Sequence, residues 1–421
     1  MMKKETGFYG DVLEGLHNAA DLMKLDREVL KILTKTTNEI TVNFPVKMSN
    51  GLVEMFTGYR VQHNNVMGPY SGGLRFHPWV DLGEMRALAT VMTCKATIAG
   101  IPFGGAAGGV QFNPSDYNSS DVERITRRFT YSLGSNIGAE YDILTSDVNT
   151  NPQTMAWILD TYLSTMPPEK RQAKTHVVTG KPIHLGGSVG HDKAAGQGLV
   201  FAIEEWAAGH RFDLEGAAYT VQGFGSVGVW TSILLNQKGA KLVAVEDTSG
   251  PILNPDGIDP EDLFAYDKEN GRIAGYPNAK PIDHETFLAT KADIFIPAAL
   301  EYQITAQTAP KLNVKLVVEG ADCPCDRDGS KILKERGIEV LPDILCNSGG
   351  VIVSYFEWLQ NKRSELWELE EVDRKLQNKM QDAYHRVRDR AAEFNTDWCT
   401  AARIEALTRL ERIYKRRGIF P

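Results

Sequence analysis

The chain has 421 residues, 42% hydrophobic and 24% charged, which is enough apolar content for two buried cores. Its formal net charge of −8 and the lack of any long basic run argue against nucleic acid or an anionic membrane as a partner. The opening MMKKETGFYGDVLEG carries two lysines but no apolar leader core, and no stretch approaches the ~18 apolar residues of a membrane span, so a cytoplasmic location is expected.

Residues 8–36 repeat apolar side chains at helical spacing, from Val12, Leu13 and Leu16 to Leu30 and Leu33. ITVNFPVKM and VEMFTGYRVQHN then alternate as strands around a Ser-Asn-Gly turn. After a Gly-rich stretch the spacing predicts a helix over 82–98, and SSDVERITRRFTYSLGSNI predicts another with Ser120 or Asp121 as its cap. Between those helices lies IPFGGAAGGV (101–110), too glycine-rich for a strand or helix interior and expected to be a loop that lets backbone approach a ligand.

The character changes near residue 185. A helix around LVFAIEEWAA precedes AAYTVQGFGSVGVWTSILLNQKGAKLVAVEDTSG, which reads strand, turn, helix, strand. The short apolar runs ADIFIPAA, VKLVVEG and IEVLPDIL follow, as in a mostly parallel sheet with crossover connections. Residues 350–394 read as charged helix, and TAARIEALTRLERIYKRRG ends in basic residues and a glycine, as a helix C-terminus does. The fold class expected is α/β in two domains. The family resemblance carried by the motifs below implies a first domain over 1–184 completed by 395–421, a Rossmann-like domain over 185–355, and a helical hinge region over 356–394.

Gly223, Gly225 and Gly228 form G-x-G-x-x-G between a strand and a helix, with Ser226 and Val227 opening the helix. The next strand ends in Glu246-Asp247, about 20 residues on, which completes the dinucleotide fingerprint. The helix N-terminus would take the pyrophosphate. An acid there favours NAD over NADP, and Glu246 is the expected ribose contact, with Asp247 as the alternative. Five scattered cysteines argue against a disulfide framework, and Cys323-Pro-Cys325 lacks the second ligand pair of a zinc site, so no metal is expected.

GPYSGGLRFHP, MTCKAT, IPFGGAAGGV, TSDVNT, GGSVGHDKAAGQG, VQGFGSVG, IPAALEYQI, VVEGAD and PDILCNSGGVIVSYFEW occur in this order. Together they resemble the glutamate dehydrogenase family of amino-acid dehydrogenases, from about residue 10 to the terminal RGIFP. The resemblance implies an N-terminal substrate and oligomerisation domain, a hexamer, and hydride transfer between a nicotinamide and the α-carbon of an amino acid. It also implies three lysines and an aspartate at the reaction centre. Lys95 matches the lysine for the α-carboxylate and Asp147 the proton shuttle. Ser71 stands at the position of the lysine for the distal carboxylate, and Ala107 at that of the catalytic lysine. Val351 and Ser354 match the side-chain pocket. Ala195 replaces a threonine near the nicotinamide amide, Tyr302 an asparagine, and Asp322 an asparagine near the nicotinamide ribose.

The departures gather at the chemistry while scaffold motifs persist. Two readings follow. One is a non-catalytic regulatory or structural subunit that binds an amino acid or 2-oxo acid, in a homo-hexamer or beside an active paralogue. The other is an active dehydrogenase of altered substrate or mechanism. His77 reads as structural, while His184 and His191 flank the GGSVG loop, with a nucleotide contact open for His191. Tyr355, Phe356 and Trp358 read as core.

Overall fold

The computed structural model describes residues 7–419; residues 1–6 and the last two residues of RGIFP lie outside the described residues. The chain divides into two compact units. The first comprises Met1–His191, Val351–Arg374 and Arg403–Pro421, and the second Asp192–Gly350 and Lys375–Ala402.

The first unit opens with helices α1 (Phe8–Met23) and α2 (Arg27–Leu33). The helical periodicity over 8–36 is realised as two helices, because Lys24 turns left-handed (φ 55°) and Asp26 caps the second through the amides of Glu28 and Val29. Strands β1 (Asn38–Lys47), β2 (Val53–Asn64) and β3 (Tyr70–Phe76) follow, then α3 (Leu82–Ala99) and β4 (Gly104–Val110). Next come α4 (Ser119–Leu133), β5 (Asp142–Ser146), α5 (Pro152–Ser164), the single turn α6 (Pro168–Arg171) and β6 (Val178–Thr179). The sheet order is β1-β2-β4-β3-β5-β6, antiparallel through β4 and parallel from β4 onward. One face buries Leu74, Phe76, Val110, Leu144 and Val178 against Ile125 and Phe129 of α4 and Met155 and Ile158 of α5.

Two expectations are corrected here. IPFGGAAGGV is not a loop: β4 is a fully buried strand inside the sheet. Its glycines answer crowding rather than flexibility. A Cβ on Gly104 would stand 2.1 Å from the Asn64 carbonyl, on Gly105 2.3 Å from the Thr93 amide, and on Gly109 2.6 Å from the Arg75 carbonyl. The cap of α4 is Asn118, whose side chain accepts from the Asp121 amide, while Asp121 itself accepts from the Ser49 amide and hydroxyl.

The second unit carries α7 (Ala194–His210), β7 (Ala218–Gln222), α8 (Ser226–Asn236), β8 (Lys241–Asp247), β9 (Gly250–Ile258) and α9 (Pro260–Asn270). β10 (Lys280–Pro281), α10 (His284–Ala289), β11 (Ile294–Pro297), β12 (Leu316–Val318), α11 (Arg327–Glu335), β13 (Glu339–Leu341) and α12 (Asp343–Cys346) complete its sheet and flanking layers. Strands β8-β7-β11-β12-β13 run parallel, with β9 and β10 added antiparallel at one edge. Phe287, Phe295, Val317 and Leu333 centre one of its cores. Three long helices end the chain: α13 (Ser348–Arg363), α14 (Leu369–Phe394) and α15 (Trp398–Arg417). No helix among the described residues is long and apolar enough to cross a membrane.

Candidate active site

In the second unit the G-x-G-x-x-G turn joins β7 to α8. Gly223 is left-handed (φ 97°), and a Cβ there would press on the Ala298 carbonyl at 2.7 Å. A Cβ on Gly228 would lie 2.0 Å from the Gly223 carbonyl oxygen, so this position sets how tightly the helix follows the strand. Around Gly225, by contrast, nothing lies within 4 Å of an added Cβ. Gly225 caps α8 without a side chain over the first-turn amides, which leaves an open cradle with positive helix-end character. The Ser226 hydroxyl donates to the Asp192 carbonyl at 3.0 Å, and Val227 follows it in the first turn.

Glu246, the penultimate residue of β8, lies beside this turn, its carbonyl accepting from the Gly223 amide at 2.7 Å. Its carboxylate takes the Gln222 amide at 3.0 Å and meets His284 Nδ1 at 2.7 Å. Asp247 is turned to a different task, accepting from Ser249 and from the Ile273 amide. Asp322 accepts from the Asn347 side-chain amide at 2.8 Å. Half-buried Ala195 offers only a methyl at the second residue of α7, 3.7 Å from the Cβ position of Gly350. Tyr302 sits left-handed (φ 55°), a conformation that asparagine tolerates better than a tyrosine does.

In the first unit, register places Ser71 beside Gly105 and Ile143, and Gly73 beside Thr145. Because side chains alternate along a strand, Ser71, Gly105, Ala107, Thr145 and Asp147 belong to one face of the sheet or its continuation, opposite the α4–α5 layer. Ala107 is 3% exposed and packs with Val61, Val80, Met85, Leu88 and Ala89. Ser71 is buried, and Lys95 is buried in the second half of α3.

Asp147 is held at both oxygens. One accepts the Val148 amide at 2.8 Å, and the other accepts from Arg75 Nε at 2.8 Å. Arg75, itself nearly buried, also bridges to Glu84 at 3.1 Å. Gly73 makes room for this pair, since a Cβ there would stand 2.5 Å from the Asp147 carboxylate. An arginine stays cationic across the ordinary pH range, so Asp147 faces a permanent charge and not a proton-exchanging amine.

Ser354 on α13 is buried, sharing a 3.4 Å contact with the Thr145 hydroxyl and lying 3.1 Å from His191 Nε2. Val351 lies in the first turn of the same helix, half-buried. The loop leading to His191 is anchored by a fully buried pair. Lys181 Nζ meets Glu357 at 2.6 Å, and the same carboxylate accepts the amides of Gly180, Lys181 and Ser188. Burial pulls the Lys181 amine below the usual lysine range, with the Glu357 charge opposing that shift.

His77 accepts the Trp79 amide through Nδ1, a turn-stabilising role, and His184 is exposed. Trp358 and Tyr355 pack edge-on against Phe103. Among the described residues no group of three or more His, Cys, Asp or Glu is placed to hold a metal ion.

Several contributors escaped the sequence reading: Arg75 and Glu84 around Asp147, Thr145 and Thr179 near Ser354, Lys181 with Glu357, and His284 on Glu246. Apart from Arg75 and Glu84, nine residues apart, they meet across long sequence separations, and no motif spacing marks such pairs. Only the positions of Arg75 and Thr145 inside otherwise recognisable motifs offered a hint.

Comparison with known proteins bears on both units. Residues 36–164 match the family model described as Glu/Leu/Phe/Val dehydrogenase, dimerisation domain, and residues 186–418 match Glutamate/Leucine/Phenylalanine/Valine dehydrogenase. The chain is 42% identical to a glutamate dehydrogenase of Thermotoga maritima over 99% of its own length and 100% of that protein. Among solved structures it resembles the hetero-hexameric glutamate dehydrogenase of Thermus thermophilus in its Leu-bound form, with TM-score 0.94, 33% identity and 100% of both chains covered. The glutamate dehydrogenase of Peptoniphilus asaccharolyticus gives TM-score 0.83 at 34% identity, covering 98% of this chain and 100% of that one.

Proposed function

This chain belongs to the glutamate/leucine/phenylalanine/valine dehydrogenase family, and from that premise we propose that it is a nucleotide-binding member with negligible turnover of its own, serving as a regulatory or structural subunit. The observation that carries this reading is the apolar packing of Ala107, where the family places a lysine. A positioned acid–base group is worth about 10²- to 10⁴-fold in rate, and an electrophilic donor on the order of 10²- to 10³-fold. A methyl group supplies neither. Asp147, paired to Arg75, is a poor substitute for a carboxylate that exchanges protons with an amine.

The family works with NAD or NADP, and the second unit fits a dinucleotide. When bound, the nicotinamide would supply the hydride acceptor. The open cradle at Gly225, with the Ser226 and Val227 amides, suits a pyrophosphate, while Glu246 suits ribose hydroxyls and would repel a 2′-phosphate. NAD is therefore the preferred cofactor. Near the nicotinamide end, Asp322 and Ala195 would give weaker support than the family's asparagine and threonine. Lys95 would hold the α-carboxylate of an amino or 2-oxo acid in the first unit. A hexamer, alone or mixed with an active paralogue in the cytoplasm, is the assembly we favour, and the hetero-hexameric Thermus thermophilus relative supports it. Retention of Lys95 and Asp147 is what favours the alternative, an active dehydrogenase of altered substrate.

The test is NADH absorbance with pure protein, a panel of amino and 2-oxo acids, and ammonium, beside calorimetry of NAD binding. We expect NAD binding, silence for every substrate, and a gain of glutamate activity in the Ala107→Lys, Ser71→Lys double variant. Ordinary turnover by the wild type would overturn the proposal.

A further inference from the structure

A buried hydroxyl without a partner lies next to the side-chain pocket of the first unit. Thr179 is 0% exposed and its Oγ1 makes no hydrogen bond. It is the register partner of Thr145 on the adjoining strand, so both side chains stand on the same face. Thr145 contacts Ser354, Ser354 contacts His191 Nε2, and an added Cβ on Gly180 would lie 3.4 Å from the His191 ring. Ser71 is on this face two residues before Gly73, which pairs with Thr145. Four hydroxyls and one imidazole thus stand on this face of the sheet or in contact with it. Thr145, His191 and Val351 keep partial exposure, and Ser71, Ser354 and Thr179 are buried behind them.

These groups share one property: each both donates and accepts hydrogen bonds, and none carries a fixed charge. A carboxylate placed among them would lose its hydration without gaining a cation. An apolar side chain would leave the Thr179 hydroxyl as unsatisfied as before. A carboxamide presents a donor pair and an acceptor and answers both requirements. Resting on the reading that the first unit keeps an amino-acid site, we propose that its ligand is an amino acid with a neutral hydrogen-bonding side chain, of which glutamine, the amide counterpart of glutamate, is the representative.

The experiment is isothermal calorimetry on the full chain at pH 8, with and without NAD, using L-glutamine, L-glutamate and L-norvaline. Glutamine is expected to bind at least about tenfold more tightly than either competitor. Glutamate binding as tightly as glutamine would overturn the inference, because a cation would then have to serve the pocket. Equal binding of norvaline would overturn it too, by making the hydroxyls irrelevant. If none of the three binds, the amino-acid site itself is refuted and the inference falls with it. The Thr179→Val variant, of nearly equal shape, supplies the second reading. Its melting temperature should not fall, since an unsatisfied hydroxyl is removed, while its preference for glutamine should drop several-fold. An unchanged preference would overturn the assignment.

Discussion

The two units carry the same kind of glycine-rich sequence for opposite reasons. In β4 the glycines are buried strand residues that let neighbouring backbones close on one another, and no ligand need be near. At the β7–α8 turn, Gly223 and Gly228 are also set by crowding, but Gly225 looks onto empty space. Glycine by itself therefore does not mark a site. Openness alone does not either, since Gly7 caps α1 with nothing around it; the β7–α8 turn differs by its place between strand and helix with Glu246 beside it.

The units differ again in their polar groups. In the second, Gln222 and His284 hold Glu246 beside the open turn. In the first, Arg75 pairs with Asp147 and Ala107 packs within an apolar cluster. One region leaves first-turn helix amides uncovered, and the other pairs its carboxylate and packs a methyl group at 107.

The comparison breaks most sharply at the turn. Gly225→Val should leave the melting temperature nearly unchanged while weakening NAD by on the order of 100-fold in calorimetry, whereas Gly228→Val should lower the melting temperature as well. Equal stability of both variants would remove the distinction between an open and a crowded glycine.

In stability, the largest effect belongs to the loop anchor of the first unit. Lys181→Met leaves the Glu357 carboxylate buried and uncompensated, at a cost of roughly 3–5 kcal/mol in denaturant unfolding. Adding Glu357→Leu should recover most of that loss, which a simple packing defect would not allow.

The first unit should also carry an acid-sensitive term that the nucleotide turn does not. His63 is buried, with Nε2 donating to the Leu33 carbonyl at 3.0 Å, and burial pushes its imidazole down to about 4. Between there and the ordinary histidine value the unfolded chain binds the extra proton, so stability rises with pH through that window. It falls as pH drops, by on the order of 3 kcal/mol from above pH 6.5 to below pH 4. Unfolding midpoints across this range should slope less in His63→Asn; an equal slope would assign the effect to other groups.

The smallest effect concerns Tyr302. Relief of its left-handed backbone in Tyr302→Gly should stabilise the second unit by about 1 kcal/mol, visible as a small upward shift in melting temperature.

Much of this molecule was legible in order along the chain. Apolar periodicity located α3 and α15, alternation located β1 and β2, and the strand–turn–helix–strand context of Gly223 to Glu246 identified the dinucleotide fold. These are local properties, fixed by side-chain spacing and backbone preference within a few residues. The absence of a lysine at 107 was equally plain, because a residue type needs no coordinates.

What only tertiary structure decided were the relations between distant residues. Nothing local told that GGAAGG is an inner strand, since its conformation is imposed by Asn64, Thr93 and Arg75 closing around it. Nor could spacing reveal that Arg75 holds Asp147 or that Lys181 meets Glu357, 176 residues away. Thr179 shows the same limit: an ordinary strand threonine in sequence, it becomes an unsatisfied buried hydroxyl only once its neighbours exclude water without offering a partner. Burial and pairing belong to the assembled fold, because both depend on what packing brings alongside each group.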